Sequence, residues 1–164
     1  MLDIIKTIID LQAEWSSDNT PAMQERGGLV RNSLPIALRR FTPQFSTILD
    51  ISEADIGIVG RDGSGRKTAI PWVRIFSQER SPNPQTGWYI VLLFHSEGEK
   101  LYLCISHGST DWIDGEFKPK PASEIAPLMH WASTLLEPFF KSYPDLKSKI
   151  SLGGVDKVAH PQAD

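Results

Sequence analysis

Three short stretches of the chain carry residue types that could do chemistry. The first, Gly60-Arg-Asp-Gly-Ser-Gly65-Arg-Lys-Thr68, follows a strand-like run and has the outline of a phosphate-binding P-loop. Its spacing fails that motif, which needs Lys directly after the second glycine and then a helix; here Arg66 intervenes and Pro71 leads into an extended segment. Nucleotide hydrolysis is not expected, yet the glycines permit a tight loop whose N–H groups approach a phosphate, with Ser64, Gly65, Arg66 and Lys67 at hand. The alternative is a plain strand connection with glycines for turn geometry. The second stretch, Asp114-Gly-Glu116-Phe-Lys118, holds the Glu-x-Lys pair of metal-dependent nucleases, but Gly115, Pro119 and Pro121 describe a loop rather than the core strand such sites use. The third, Cys104 and His107, has Cys-x-x-His spacing with no second close pair of ligands, and alternation buries Cys104 in a strand. No metal or other cofactor is expected, and no Gly-x-Ser-x-Gly elbow is present.

The less usual feature is aromatic. Trp72, Trp88, Tyr89 and Tyr102 lie on or beside strand-like runs, next to the basic glycine loop. An aromatic face contributes ~1–3 kcal/mol per stacked base, and nearby cations hold the backbone, so this pairing suits an unstacked nucleotide. Strand parity puts Tyr89, Val91 and Leu93 on one face and Trp88, Ile90, Leu92 and Phe94 on the other. Core packing of all four aromatics is the competing reading.

The chain has 164 residues, 40% of them hydrophobic, which is one domain's worth of ordinary globular composition. Its net charge of -3 argues against coating nucleic acid indiscriminately. Residues 56–80 nevertheless hold Arg61, Arg66, Lys67, Arg74 and Arg80 against only Asp62 and Glu79. A local basic loop on an acidic body fits a short, salt-sensitive phosphate contact, or simply a solvated loop. The single cysteine excludes an intrachain disulfide, and no apolar run approaches the ~20 residues of a membrane span. A cytoplasmic protein without a membrane partner is expected.

These residues need elements to position them. Apolar steps of three and four predict an amphipathic helix over 2–15. Thr20-Pro21 starts a second helix to about Arg26, which Gly27-Gly28 breaks or offsets before short helical pieces divided by Pro35. Strands are expected at 45–49, 55–59, 69–76, 88–95 and 100–106, with a hairpin at 96–99 and a Pro-rich surface loop at 78–87. Ser123 caps a long helix that covers the sheet and that Pro138 bends or ends; a short strand at 149–152 and a polar tail from Asp156 follow. The order implies an α+β domain over 1–155: a mainly antiparallel, curved central sheet flanked by N-terminal helices and one long C-terminal helix.

Three blocks in order carry a family resemblance: Gly63-Ser-Gly-Arg-x-x-x-Ile-Pro-Trp72-Val-x-Ile-Phe76, Gly87-Trp-Tyr-Ile-Val-x-Leu-Phe94, and Leu101-Tyr-Leu-x-Ile-x-x-Gly-Ser-Thr110. Together they resemble the McrB-like N-terminal recognition domain of modification-dependent restriction systems, over about residues 2–143. The resemblance implies a non-enzymatic domain that binds double-stranded DNA and flips a modified cytosine, 5-methylcytosine or 5-hydroxymethylcytosine, into a pocket. Cutting would belong to a nuclease or NTPase effector in a separate domain or subunit, to which residues 156–164 would be the linker stub. By motif it assigns Trp72, Tyr89 and Leu93 to the pocket, with Ser64, Gly65, Arg66 and Lys67 at the DNA backbone and Arg31 and Arg74 as weaker backbone contacts. The family's prototype carries a further pocket aromatic in the loop before Ile-Pro-Trp, where this chain has Ser64 to Lys67. Trp112 or the Arg66 guanidinium is the candidate substitute, or the pocket takes a different modification. The alternative function is a protein-interaction or oligomerisation module without base readout.

Overall fold

A computed structural model describes residues 1–153. Helix α1 (Leu2–Gln12) stops before Trp15, whose indole N–H instead donates to the Thr68 carbonyl at 2.9 Å. Helix α2 (Pro21–Gly28) starts as expected, with Thr20 accepting from the Met23 N–H and proline in the first turn. Gly27-Gly28 does not break it. The chain passes through a π-helical turn (Leu29–Ser33) directly into α3 (Leu34–Arg39). The wider turn accommodates Pro35, which has no N–H to give to Arg31 and would crowd that carbonyl in a regular α-helix.

The expected strand at 45–49 is a helix, α4 (Thr42–Leu49). Pro43 sits in its first turn, and Phe45, Ile48 and Leu49 repeat at helical spacing; so short an apolar run has no decisive period. Four strands follow: β1 (Ile56–Arg61), β2 (Trp72–Ser77), β3 (Trp88–Phe94) and β4 (Leu101–His107), a fully antiparallel sheet in sequence order. β2 begins later than expected, because Pro71 has no N–H for the ladder, although its carbonyl still accepts from Phe94 at 3.1 Å. Residues 110–119, expected as loop, form a second hairpin of β5 (Thr110–Ile113) and β6 (Glu116–Pro119). Asp114 and Gly115 take positive φ at its turn, so the glycine marks a hairpin and the proline a strand end.

One face of the sheet is the core. Ile56, Ile58, Val73, Ile75, Leu92 and Phe94 pack against Ile8, Val30, Leu34 and Leu38. Contact is closest at Gly60, where a Cβ would stand 1.8 Å from the Val30 carbonyl oxygen, so only glycine lets the π-helical turn seat on β1. Helix α5 (Ala122–Ser142) exists as expected, but starts at Ala122 without a side-chain cap and runs one turn past Pro138. It does not cover the sheet along its length. Ala132 is its buried residue and Trp131 meets Trp88 at 5.6 Å, while Met129, Trp131, Leu135 and Phe139 stay 50–56% exposed. Residues 149–152 form no strand, although the Leu152 carbonyl accepts from the Ser96 N–H at 2.9 Å. The expected tail from Asp156 lies outside the described residues. The fold is α+β, with the sheet antiparallel throughout and helices before and after the strands in chain order.

Candidate nucleic-acid interface

The sheet face opposite the core carries the candidate pocket. Pairing sets Arg61 opposite Trp72, Trp72 opposite Leu93 and Leu93 opposite Tyr102, a continuous row across all four strands. Side chains so paired stand about 4.5–5.5 Å apart, so the tryptophan, leucine and tyrosine form one apolar strip with a cation at its end. The next row is Val59, Arg74, Val91 and Cys104. Tyr89 lies one row further, on the same face but four residues from Leu93, about 13 Å along the strand at 3.3 Å per residue. The structure thus makes Trp72 and Leu93 direct neighbours, and places Tyr89 at the far corner with Arg74 and Val91 between. Sequence reasoning missed Arg61 and Tyr102 as members of this face; strand parity plus register finds both.

Around Tyr89 the face is closed by the 78–87 loop. Its hydroxyl donates to the Pro84 carbonyl at 3.2 Å, and Ser81 donates to Thr86 at 2.6 Å. Burial pushes the Tyr89 phenol up, with the Arg74 charge opposing. Arg74 was expected at the DNA backbone; it is 4% exposed, its guanidinium 3.7 Å from the Phe76 ring centre and 5.1 Å from that of Tyr89. Burial lowers its pKa.

The glycine loop is built around a buried carboxylate. Asp62 has no exposed side-chain surface; it accepts from Arg31 on Oδ1 and from Lys67 on Oδ2, the latter at 2.9 Å. Burial alone would raise the Asp62 carboxyl, but the hydrogen bonds from Lys67 and Arg31 and their charges outweigh it and hold the group below the usual carboxylate range. Its carbonyl accepts from the Thr68 N–H at 2.9 Å, closing a loop in which Gly63 takes φ of 113°. From the helical side, Arg26 donates to Gln12 Oε1 at 2.6 Å and to the Thr68 carbonyl at 3.0 Å. Burial brings the Arg26 pKa down to about 10 against the pull of Asp62.

This clamp divides the expected backbone contacts into two groups. Lys67 is 12% exposed and Arg31 40% exposed, both engaged by Asp62, whereas Ser64, Gly65 and Arg66 form the exposed tip. Arg31, Lys67 and Asp62 together still leave one excess positive charge beneath that tip. No motif logic separates the two groups, because a lysine beside a glycine loop reads the same whether it faces solvent or an internal acid.

The second hairpin reaches the loop tip. Its base is tied by Lys120, whose Nζ donates to the Gln85 carbonyl at 2.8 Å, while Trp112 and Phe117 border with Ser64 an open concavity of about 480 Å³. Gln85 and Ser64 belong to connections at opposite ends of the sheet, so the hairpin runs between those ends. Trp112 is 61% exposed and meets the Phe117 ring edge-on at 4.6 Å. An aromatic therefore stands beside the loop that lacks one.

The other chemical candidates come apart. Glu116 and Asp114 each lie 3.5 Å from Lys118 in an exposed cluster on the hairpin. Cys104 and His107 point to opposite faces of β4; His107 packs edge-on against Trp88 at 5.1 Å, and burial raises the Cys104 thiol. No group of three possible metal ligands occurs among the described residues, and no helix there is long and apolar enough to cross a membrane. No curated protein and no solved structure matches the chain. A family model does: residues 10–160 match the MrcB-like, N-terminal domain, as the Pro-Trp and Gly-Trp-Tyr blocks led us to expect, and the chain belongs to that family.

Proposed function

We propose that this domain binds double-stranded DNA for a restriction system and takes a modified cytosine, flipped from the duplex, onto the Trp72–Leu93–Tyr102 strip. Family membership supports the DNA-binding part. The observation that supports the base-reading part is the row itself: an exposed-side aromatic and apolar strip begins at Arg61 and lies below an Arg66-tipped loop. Stacking on Trp72 and Tyr102 holds the ring, Leu93 encloses an apolar substituent, and Arg61, Ser64, Gly65 and Arg66 contact phosphate. Trp112, at the loop tip, supplies the aromatic that the loop lacks. Cutting is left to an effector, a nuclease or NTPase, outside these elements.

Discrimination by a methyl-sized contact is worth ~1–3 kcal/mol, so preference for modified over plain DNA is moderate, roughly 10- to 200-fold. The test is affinity for matched duplexes, plain or modified at one cytosine, with Trp72→Ala and Tyr102→Ala. Loss of the preference in Trp72→Ala is expected; an unchanged ratio in both variants sinks the reading.

A second reading, a protein-interaction module, draws on the exposed apolar residues of α5 and on Leu103 and Ile105 of the edge strand β4. Salt separates the two. DNA affinity falls steeply between low and physiological salt, whereas apolar association does not.

A further inference from the structure

Strand β4 ends the sheet, and among the described residues no strand pairs with its outer side; β5 and β6 pair only with each other. Its hydrogen-bonding phase is fixed at both ends. The His95 N–H donates to the Lys100 carbonyl and the Gly108 N–H to the Gly87 carbonyl, so the hydrogen-bonded pairs between them are Leu93–Tyr102, Val91–Cys104 and Tyr89–Ser106. Leu101, Leu103, Ile105 and His107 therefore turn their N–H and C=O groups outward, and no backbone group among the described residues bonds to them. Open edges are usually guarded by a charge, a proline or a bulge. Residues 101–107, Leu-Tyr-Leu-Cys-Ile-Ser-His, hold no Lys, Arg, Asp, Glu or Pro, and they pair with β3 without a bulge. Leu103 and Ile105 stand on the core side of the sheet, opposite Leu92 and Ile90, yet are 69% and 58% exposed.

We infer that β4 pairs with β4 of a second copy of this chain, antiparallel about a two-fold axis at Cys104, joining two four-stranded sheets into one. The strand is self-complementary in that register. Leu103 faces Ile105 of the second copy, and Leu101 faces its His107, with the reciprocal pairs on the other side of the axis. These are the residues whose backbone groups turn outward, so each pair exchanges both hydrogen bonds and every outward group of the strand is used. An axis at Leu103 or Ile105 keeps the phase but leaves an outward end residue without a partner in the strand, and a shift by one residue loses the phase. At Cys104 the exposed Leu103 and Ile105 of both copies also close into one apolar patch. That reciprocity favours a second copy over a strand of unrelated sequence. The inference does not rest on base flipping. Tyr102 points to the opposite face, so the pairing leaves the Trp72–Leu93–Tyr102 strip uncovered and sets the strips of both copies on the same side of the joined sheet.

Sedimentation equilibrium of the whole chain at physiological salt, with and without Ile105→Lys, reads the association. A seven-residue strand pair is a small interface, so a dimer with Kd of about 10 μM is expected. Ile105→Lys sets a charge against Leu103 twice in each dimer and should weaken association roughly 100-fold or more, with the circular dichroism unchanged because the side chain is exposed in the single chain. The axis is read separately. At Cys104 the two Cα atoms form a non-hydrogen-bonded pair about 4.5 Å apart, inside the range a disulfide spans. Oxidation with copper–phenanthroline should therefore give a covalent dimer of the wild type on a non-reducing gel, absent from Cys104→Ser and from Ile105→Lys. A monomer at about 100 μM overturns the inference and leaves the edge to a different chain. A dimer that Ile105→Lys leaves intact overturns it too, since the contact then lies elsewhere, as on α5. A dimer that Ile105→Lys breaks but copper does not cross-link overturns the register at Cys104. If Ile105→Lys does not fold, the wild-type dimer and its cross-link decide.

Discussion

Replacing Asp62 by Asn strikes the centre of the loop architecture. The carboxylate has no exposed surface and joins Arg31 from the π-helical turn to Lys67 from the loop. Asparagine keeps the shape but loses the charge and turns an amide toward one of two cations. Breaking a fully buried pair by removing one partner costs ~3–5 kcal/mol. Here Arg31 is 40% exposed and turns to water on losing its partner, so the expected loss is ~2–3 kcal/mol, about 4–12 °C in Tm for a domain of this size. The pH dependence has a definite sign. Asp62 titrates below its unfolded-state value of about 3.9, so its stabilisation is complete above that pH and disappears as pH falls through the lower folded-state pKa. Denaturation curves of wild type and Asp62→Asn, measured from pH 7 down to pH 2, should differ by the full amount at neutrality and converge in acid. A variant within ~0.5 kcal/mol of wild type at pH 7, with parallel acid behaviour, refutes the clamp.

Gly60→Ala places a Cβ 1.8 Å from the Val30 carbonyl, backbone against backbone, and should cost about 3 kcal/mol in chemical denaturation; a cost below 1 would show that the turn can lift off β1. Arg66→Ala removes an exposed loop-tip cation, so DNA affinity should fall alike for plain and modified duplex, with the slope against log salt smaller by about one. Trp112→Ala should reduce the preference for modified DNA by up to the ~1–3 kcal/mol of one stack, without changing Tm by more than a degree or two, since the ring is largely exposed.

The sheet was legible because its strands alternate or run apolar between strong turn signals, and the 96–99 hairpin gave the antiparallel sense of β3 and β4. The face assignment followed from parity alone. What failed were short segments with no decisive period. Three apolar positions after Pro43 fit helix or strand, and only packing chose helix. Pro119 and Gly115 suggested loop because composition does not tell a strand end and a hairpin turn from irregular chain. α5 was readable as a helix but not as a largely unpartnered one, since periodicity reports that a face is apolar and not what meets it. On the candidate face, motif singled out Trp72 and Leu93 but not their ladder neighbours Arg61 and Tyr102, because cross-strand register is a property of the ladder. The burial of Arg74 and the internal pairing of Lys67 were likewise invisible, because local sequence does not show how a loop folds back: Asp62 lies five residues from Lys67 in the same loop, and Ser81 seven from Arg74.

The most direct test of the central claim is binding to duplexes that differ in one cytosine, plain, 5-methyl, 5-hydroxymethyl or N4-methyl, with 2-aminopurine beside it to report unstacking. The account predicts tighter binding to one modified form, accompanied by a rise in fluorescence, both abolished in a folded Trp72→Ala protein. Equal, salt-sensitive binding to all four with no fluorescence change would contradict it.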